Sequence, residues 1–477
     1  MFTVNLPRLT YLLTLLAVVA TLFGCSAVGD IKQVVSDTLF GIEPANPPAQ
    51  LEEIQPSYTA KVDWSSNVGK TEKYDYTPAQ DSTAVYVANA AGELTKIDAT
   101  NGRQLWRINI GEPISGGVGI GAGTVLVGSN KGFVHAYDVS GKFLWKAKVS
   151  SEILSVPRYF EGLVIVRTGD NHIFGLDAAD GTRKWVYERI NPALTLRSSV
   201  GLVVDSGAIY AGFAGGKLVA IRADNGKLLW EATVAQPKGV TEIERIADIT
   251  SLPVVDGPLV YAVAYQGKVA AIDRRSGKVL WNRDISSYSG LSAEDGKVFV
   301  THTLGAVYSL DYETGKTFWR QGVLSNRRLT APLPMGSVVA VGDLEGYLHL
   351  LNRDEGKFLA RIRLDSSAVM SIVSGVNTKQ LFAETRDGTI YAVSFSELSD
   401  KPNPTTKPTE PEKTQVEKQP ASSEQEPKPA TSEPAPPVPE TGGSERSILF
   451  KNDSILLPDA GSDNNTSGPG IRLPTEQ

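Results

Sequence analysis

Between residues 56 and 396 the hydrophobic positions form short runs, separated by turns that are rich in Gly, Asp and Asn. Residues 132–145 show the unit: an apolar run ends at Asp138, the chain turns through Gly141, and a second run ends at Trp145. Two short apolar runs joined by such a turn are typical of a β-hairpin. No stretch of this region repeats its apolar residues with the period of a helix. The pattern therefore predicts an all-β fold.

The hairpin recurs about every 40 residues. All seven tryptophans of the chain end one copy each, and Ala360 stands at the eighth equivalent position: Trp64, Trp106, Trp145, Trp185, Trp230, Trp281 and Trp319. Another β-branched run precedes each hairpin, as in residues 164–166, and a further short strand candidate precedes that run. Four short strands in each repeat are typical of a propeller blade. We therefore predict an eight-bladed β-propeller of four-stranded antiparallel blades.

The two ends of the repeat region are incomplete in complementary ways. Residues 388–394 begin a last hairpin that has no returning strand, and residues 58–64 form an isolated strand that ends in Trp. Pairing this N-terminal strand into the last blade completes the blade and removes two exposed edges. We expect this closure, and a seven-bladed ring with unrelated ends is the alternative.

The Asp and Gly of each hairpin are interpreted as turn residues, because Asp accepts backbone N–H groups and Gly adopts left-handed backbone angles. The four histidines lie on four different repeats, so no histidine metal cluster is expected: His135, His172, His302 and His349. The sequence contains no nucleophile elbow, phosphate-binding loop or zinc-protease motif. No catalytic, cofactor-binding or metal-binding residue is predicted.

The first 24 residues are typical of a secretory signal peptide. Arg8 gives the start a positive charge, and the apolar run at residues 11–21 is too short to span a bilayer comfortably. Cleavage after Gly24 would leave Cys25, the only cysteine of the chain, at the new N-terminus. A single cysteine also excludes a disulfide framework.

Residues 22–25, Leu-Phe-Gly-Cys, resemble the lipobox of bacterial lipoproteins. The resemblance implies that Cys25 carries acyl chains, which together anchor a protein stably to a membrane that it does not span. An unmodified, buried cysteine is the alternative. Ser26 implies, by the same resemblance, an outer-membrane destination. Residues 25–55 are then a lipidated linker ahead of the propeller at residues 56–396.

The C-terminal segment, residues 397–477, differs in composition from the propeller. Residues 401–477 hold 14 of the 28 prolines, contain no Trp or Tyr, and carry a net charge of −4. Such a segment cannot bury enough apolar surface to fold, so we expect a disordered acidic tail. The whole chain carries a net charge of −6. The propeller is therefore nearly neutral and has no basic footprint for nucleic acid.

The repeat Asp-x-x-x-Gly-Lys-x-Leu-Trp at residues 273–281 resembles the tryptophan-docking repeat of pyrroloquinoline-quinone propellers, which include enzymes and non-enzymes. With the lipobox and the segments 241–248 and 341–349, residues 25–396 resemble the BamB family of outer-membrane lipoproteins. The resemblance implies a cofactor-free, non-enzymatic propeller, monomeric within a larger complex. Its expected partners are the periplasmic domains of BamA, the central protein of the β-barrel assembly machine, and unfolded outer-membrane protein clients.

In that family the BamA contact uses a Leu-x-Leu-Arg segment and an Asp-x-Asp segment on two interblade loops. Leu194, Leu196 and Arg197 match the first segment, while the second keeps Asp248 and has Thr250 in place of its other Asp. The two loops lie in the two longest intervals between tryptophans, on consecutive blades, so they should be neighbours. We expect Leu194, Leu196, Arg197 and Asp248 to bind the partner, the leucines for affinity and the charges for orientation.

Three alternatives stay open at this point. The two leucines could pack inward while Arg197 pairs with Asp248 or Glu244. The chain could be a periplasmic quinoprotein dehydrogenase that uses a quinone and calcium. The acidic tail could bind the partner, with the propeller as a rigid spacer.

Overall fold

The computed structural model describes residues 46–398 except for residues 191 and 193. These residues form eight four-stranded antiparallel sheets arranged as the blades of a ring. The predicted eight-bladed, all-β propeller is confirmed. The signal peptide, Cys25 and residues 399–477 of the expected tail lie outside the described residues.

The first strand of the chain, β1 (Tyr58–Asn67), precedes blade 1. Blade 1 contains β2 (Ala79–Gln80), β3 (Ala84–Ala88), β4 (Glu93–Asp98) and β5 (Gln104–Asn109). Blade 2 contains β6 (Ile114–Gly121), β7 (Thr124–Ser129), β8 (Phe133–Asp138) and β9 (Phe143–Lys148). Blade 3 contains β10 (Arg158–Phe160), β11 (Leu163–Arg167), β12 (Ile173–Asp177) and β13 (Arg183–Tyr187).

Blades 4 to 7 repeat this arrangement. Blade 4 contains β14 (Leu202–Asp205), β15 (Ala208–Phe213), β16 (Lys217–Arg222) and β17 (Leu228–Thr233). Blade 5 contains β18 (Val254–Asp256), β19 (Leu259–Val263), β20 (Val269–Asp273) and β21 (Val279–Arg283). Blade 6 contains β22 (Gly290–Glu294), β23 (Lys297–Thr301), β24 (Val307–Asp311) and β25 (Thr317–Gln321). Blade 7 contains β26 (Leu333–Met335), β27 (Val338–Gly342), β28 (Tyr347–Asn352) and β29 (Phe358–Arg363).

Blade 8 is built from both ends of the described chain. Its first three strands are β30 (Val369–Ser374), β31 (Gln380–Thr385) and β32 (Thr389–Glu397), and β1 is its fourth. The helical content of residues 46–398 is one short 3-10 turn, Ala214–Gly216. Among these residues no helix has the length and apolar character needed to cross a membrane.

The strands of a blade differ in burial. The second strand, such as β3, is buried along its whole length, while the fourth strand, such as β5, is largely exposed at the rim of the ring. This explains the continuous apolar runs of the second strands and the polar residues interleaved along the fourth.

Each tryptophan joins the outer strand of its blade to the next blade. The indole Nε1 donates a hydrogen bond of 2.8–3.2 Å to a backbone carbonyl of the next blade, in the pairs Trp64–Ala99, Trp106–Val139, Trp145–Ala178, Trp185–Ala223, Trp230–Arg274, Trp281–Tyr312 and Trp319–Arg353. The ring also covers the glycine of the accepting turn. Gly277 has φ 71°, and a Cβ there would lie 2.7 Å from the Trp230 ring, so a side chain at this position would clash.

The aspartates of the turns act as the sequence predicts. Asp138 Oδ1 accepts the backbone N–H of Ser140 at 2.8 Å and that of Lys142 at 3.0 Å. These bonds hold the hairpin turn that supports the neighbouring blade's tryptophan, so the role of Asp138 is structural.

Strand β1 closes the ring. It pairs antiparallel with β32 from Tyr58 opposite Glu397 to Asn67 opposite Thr389, with a bulge after Val62. The predicted N-terminal closure is confirmed. In blade 8 the third and fourth strands come from opposite ends of the chain, so no turn joins them. A tryptophan at the outer strand of blade 7 would therefore find no such turn in blade 8 on which to dock. This explains why Ala360 occupies the tryptophan position of blade 7.

A leader segment, residues 46–57, runs along blade 7 without forming a strand until β1 begins. The Ala49 carbonyl accepts a hydrogen bond from Arg327 Nη1 at 2.7 Å, and the Glu52 carbonyl accepts one from Arg361 Nη1 at 2.8 Å. Part of the expected linker is therefore bound to the propeller, through these backbone carbonyls and through the Leu51 side chain, which packs against a core cluster of blades 6 and 7.

The two arginines that bind the leader segment belong to one buried network. Asp343 Oδ2 accepts from Arg327 Nε at 2.7 Å and from His349 Nε2 at 3.0 Å, while Arg361 Nε donates to His349 Nδ1 at 3.1 Å. Because Nδ1 accepts, His349 is neutral and carries its proton on Nε2. Burial also lowers the pKa of His349, which favours the neutral ring.

Deleting residues 56–66 removes most of β1 and exposes the edge of β32. We expect the ring to open and the protein to become poorly soluble, because an unpaired strand edge associates with other chains. Melting temperature and sedimentation velocity are the measurements, and truncation after residue 400 is the control. A deletion variant that melts like the wild type and sediments as a monomer contradicts this closure.

Trp230→Ala should lower the free energy of unfolding by about 3–5 kcal/mol, because it removes a large buried ring together with an interblade hydrogen bond. Leu229→Ala, on the same strand but half exposed, is the matched control and should change the free energy of unfolding little. Urea unfolding measures both variants. Equal effects would show that the tryptophan docking adds nothing to stability.

Candidate partner-binding face

Loops between consecutive blades and turns between second and third strands share one face of the propeller, because the strands of a blade alternate in direction. The two longest interblade loops on this face are loop 188–201, between blades 3 and 4, and loop 234–253, between blades 4 and 5. They touch: the Leu196 backbone N–H donates to Asp248 Oδ2 at 2.8 Å. The two loops are thus neighbours, as expected from the sequence.

The leucines of loop 188–201 point outward. Leu194 is 44% exposed and Leu196 is 36% exposed, so the inward-packing alternative does not hold. Loop 234–253 adds two strongly exposed apolar side chains, Val240 and Ile243. Sequence reasoning missed these two residues; an apolar pair inside a charged, turn-forming loop was the available signal.

A local cap holds the exposed part of loop 234–253. The Glu244 carboxylate accepts the backbone N–H groups of Val240 at 2.9 Å and Thr241 at 3.0 Å, and the Glu244 N–H donates to Thr241 Oγ1 at 3.2 Å. The hydrogen bonds from the Thr241 and Val240 backbone hold the pKa of Glu244 below its ordinary value. This reciprocal pair fixes the turn that carries the exposed residues.

Arg197 pairs with a third loop on the same face. Its Nε and Nη2 donate to the two carboxylate oxygens of Glu152 at 3.0 and 2.7 Å. The expectation that Arg197 pairs with Asp248 or Glu244, if it pairs within the chain, is therefore wrong. The hydrogen bond to Glu152 raises the pKa of Arg197. Because this pair is half exposed, it orients the guanidinium more than it stabilises the fold.

Asp248 lies beneath the surface of the two loops and is 5% exposed. One carboxylate oxygen accepts the Leu196 N–H at 2.8 Å, and the other accepts the Gly215 N–H at 3.0 Å. Its own carbonyl accepts the Tyr265 N–H at 2.8 Å. Asp248 thus ties loop 188–201 to blades 4 and 5, and it holds the backbone of Leu196 in place.

A cavity of about 220 Å³ lies between these loops. Glu152, Arg167, Leu196, Arg197 and Thr250 are among the residues that line it. With Asp248, four of the residues already described on this face therefore line the cavity.

The histidines are distributed as the sequence indicates. His135 and His349 occupy equivalent strand positions, and each pairs with a buried carboxylate: His135 Nε2 lies 2.7 Å from Glu112 Oε1, and His349 Nε2 lies 3.0 Å from Asp343 Oδ2. Among residues 46–398, with the two gaps noted above, no group of three His, Cys, Asp or Glu side chains could hold a metal ion.

Glu384 is a fully buried carboxyl on β31 of blade 8. Its only described hydrogen-bond contact is a long one, 3.5 Å from Oε2 to Ser371 Oγ, and Oε1 has no partner within the described residues. Burial raises the pKa of Glu384 to about 8, and the nearby charge of Asp75 adds to the rise. The carboxyl is therefore mostly protonated in the folded protein at neutral pH.

These features define a class: an eight-bladed propeller with tryptophan-docking repeats and one face extended by two consecutive loops. The family model described as outer membrane protein assembly factor BamB matches residues 90–321 and 304–401. Relatives described by that name are 40% identical over 361 residues in Nitrosomonas eutropha, covering 75% of this chain and 88% of the relative, and 31% identical over 390 residues in Escherichia coli, covering 79% and 96%. The chain belongs to the BamB family.

Solved structures agree with this assignment. BamB from Moraxella catarrhalis superposes with a TM-score of 0.65 at 26% identity, covering 70% of this chain and 100% of that chain. A quinohemoprotein alcohol dehydrogenase from Comamonas testosteroni superposes with a TM-score of 0.59 at 15% identity, covering 70% and 76%. The second likeness shows a shared fold alone.

Glu384→Gln should flatten the pH dependence of stability. The folded-state pKa of Glu384, about 8, lies above its ordinary value of 4.5. The folded state therefore holds the proton more tightly, and the wild type loses stability as the pH rises from 4.5 to 8, by about 3 kcal/mol up to pH 7. Urea unfolding at several pH values measures the difference, with the exposed Glu242→Gln as control. Parallel curves for wild type and Glu384→Gln contradict the raised pKa.

Proposed function

We propose that this protein is a scaffold lipoprotein of the outer-membrane β-barrel assembly complex. In this proposal acyl chains on Cys25 anchor it to the outer membrane, and the propeller faces the periplasm. It binds the periplasmic domains of BamA and assists the insertion of unfolded outer-membrane proteins. Membership of the BamB family, whose relatives are described as outer membrane protein assembly factors, supports this role.

The observation that carries the proposal is the pair of outward-facing leucines on a braced loop. A flexible loop would lose conformational entropy on binding, whereas loop 188–201 is already tied through Leu196 to Asp248. Burying Leu194 and Leu196 against a partner would contribute on the order of 1 kcal/mol each, because each is already more than half buried. Apolar anchors surrounded by polar groups are typical of a protein-binding surface.

The charged residues of the face have separable roles in this proposal. Arg197 uses Nε and Nη2 for Glu152. Within the described residues its Nη1 has no hydrogen bond, so this nitrogen can donate to a partner. Asp248 acts on the partner through Leu196, because its carboxylate is buried and occupied by backbone N–H groups. The replacement of the second acidic residue by Thr250 removes a negative charge from the same loop.

The protein is a scaffold rather than an enzyme in this proposal, as the description of its relatives as assembly factors supports. The likeness to a quinohemoprotein dehydrogenase, at 15% identity, gives no support for a quinone-dependent activity.

Co-purification in detergent from the protein's own cells tests the interface. Leu196→Ala and Arg197→Ala should each reduce the recovery of BamA with the tagged chain, because they remove an apolar anchor and an orienting charge. Leu280→Ala, a half-exposed leucine on the outer strand of blade 5, is the matched control and should not.

Truncation after residue 400 separates the propeller face from the acidic tail. Recovery of BamA should survive the truncation if the face is the binding site. Loss of BamA on truncation, together with normal recovery by Leu196→Ala and Arg197→Ala, would contradict the proposed interface and favour the tail.

A further inference from the structure

Arg167 stands at the end of β11 in blade 3 and is 6% exposed. Its Nη2 donates to the amide oxygen of Asn171 at 2.7 Å, and its guanidinium lies over the Phe213 ring, with Cζ 4.7 Å from the centroid. Both contacts are neutral. Burial lowers the pKa of Arg167 to about 10, so the guanidinium remains charged at neutral pH.

The charge of Arg167 is not balanced within the described residues. No carboxylate among them forms an ion pair with it, and Nη1 has no hydrogen-bond partner there. The other charged residues around the cavity are already satisfied: Glu152 is held by Arg197, and Asp248 by two backbone N–H groups. A buried, unpaired guanidinium costs stability, so we look for its counter-ion outside the described residues.

A second unsatisfied group lines the same cavity. The Thr250 hydroxyl oxygen is buried and has no hydrogen-bond partner among the described residues. Arg167 comes from blade 3 and Thr250 from loop 234–253, and both line the cavity of about 220 Å³ that Leu196 and Arg197 also line. A charged N–H donor and an O–H donor on two residues that line one small cavity are complementary to the oxygens of one carboxylate.

We propose that this cavity receives a carboxylate side chain of the bound partner, with Arg167 as its charged ligand and Thr250 as a second donor. The inference rests on the proposed function, and it adds that the partner residue that passes between Leu196 and Thr250 is acidic. The cavity thereby selects a partner by charge, while Leu196, which also lines it, contributes apolar contact.

Loss of a purely structural arginine would lower stability, whereas loss of a ligand for the partner's carboxylate should lower partner affinity without lowering stability. Arg167→Met keeps the length and apolar packing of the side chain but removes the charge. We expect this variant to melt at or above the wild-type temperature, because an uncompensated buried charge is gone. We also expect it to bind the BamA periplasmic domains about 10- to 100-fold more weakly.

The experiment measures melting and partner affinity on the full mature chain in detergent, for wild type, Arg167→Met, Arg167→Lys, Leu196→Ala and Arg222→Met. Arg167→Lys keeps the charge and should retain more affinity than Arg167→Met. Arg222 pairs with Asp224 in a turn on the opposite face, so Arg222→Met is the matched control and should bind normally.

The outcomes distinguish the inference from the function on which it rests. If Leu196→Ala weakens binding while Arg167→Met binds normally, the carboxylate site is wrong and the interface stands. If Arg167→Met loses stability and keeps its affinity, the arginine is structural.

If the wild type does not bind BamA domains, the proposed function fails and a second probe decides the chemistry of the cavity. Sodium acetate should then raise the melting temperature of the wild type above that in sodium chloride of equal ionic strength, and it should not do so for Arg167→Met. Equal shifts for the two proteins would overturn the site.

Discussion

The docking of each tryptophan on the next blade is the interaction on which this structure depends. A ring of small sheets has no single core, so its stability is that of its joints. At each tryptophan joint the indole ring covers a turn glycine and Nε1 satisfies a carbonyl of the same turn region, which leaves no room for sliding between blades. Five of the seven rings also pack on second-strand aromatics of their own blades, as in Tyr210 with Trp230 at 5.9 Å. Each of these five joints thus couples the rim of one blade to its own interior.

Because the blades hold the ring together, the interblade loops can differ from one another in length and sequence. Loop 188–201 and loop 234–253 need only a few ties to the scaffold, and a single carboxylate, that of Asp248, supplies two of them. The propeller also contains buried groups that oppose folding. Arg167 is charged without a counter-ion in the described residues, and Glu384 is kept protonated by its surroundings.

Much of the fold could be predicted from the sequence because its information is local. Asp138, Gly141 and Trp145 lie within one hairpin, and the same spacing repeats along the chain, so turn chemistry and period together define a blade. The site was predictable only in part. The outward direction of Leu194 and Leu196 agrees with what the family resemblance implied, whereas their place on a loop alone left inward packing open. The partner of Arg197, however, is Glu152, which comes from an earlier blade, 45 positions away.

The remaining features depend on what distant blades bring together. Nothing around Arg167 in the sequence marks it as unpaired, because that state results from side chains contributed by several loops of the face. The leader segment escaped prediction for a different reason. Its hydrogen bonds to Arg327 and Arg361 come from the carbonyls of Ala49 and Glu52, and backbone carbonyls are the same for every residue type.

The pairing of β1 with β32 also determines when the chain can complete its folding. Thr59 and Ser396, whose side chains are hydrogen-bonded across this strand pair, are 337 positions apart. Because a chain emerges from its N-terminus, β1 has to wait unpaired until the last blade is available, and a contact of such sequence separation forms late and slowly. An unpaired strand is therefore exposed until the last blade is available. Shielding of the unpaired β1 by other proteins before the ring closes would therefore matter more for this chain than for a propeller closed by strands that are adjacent in sequence.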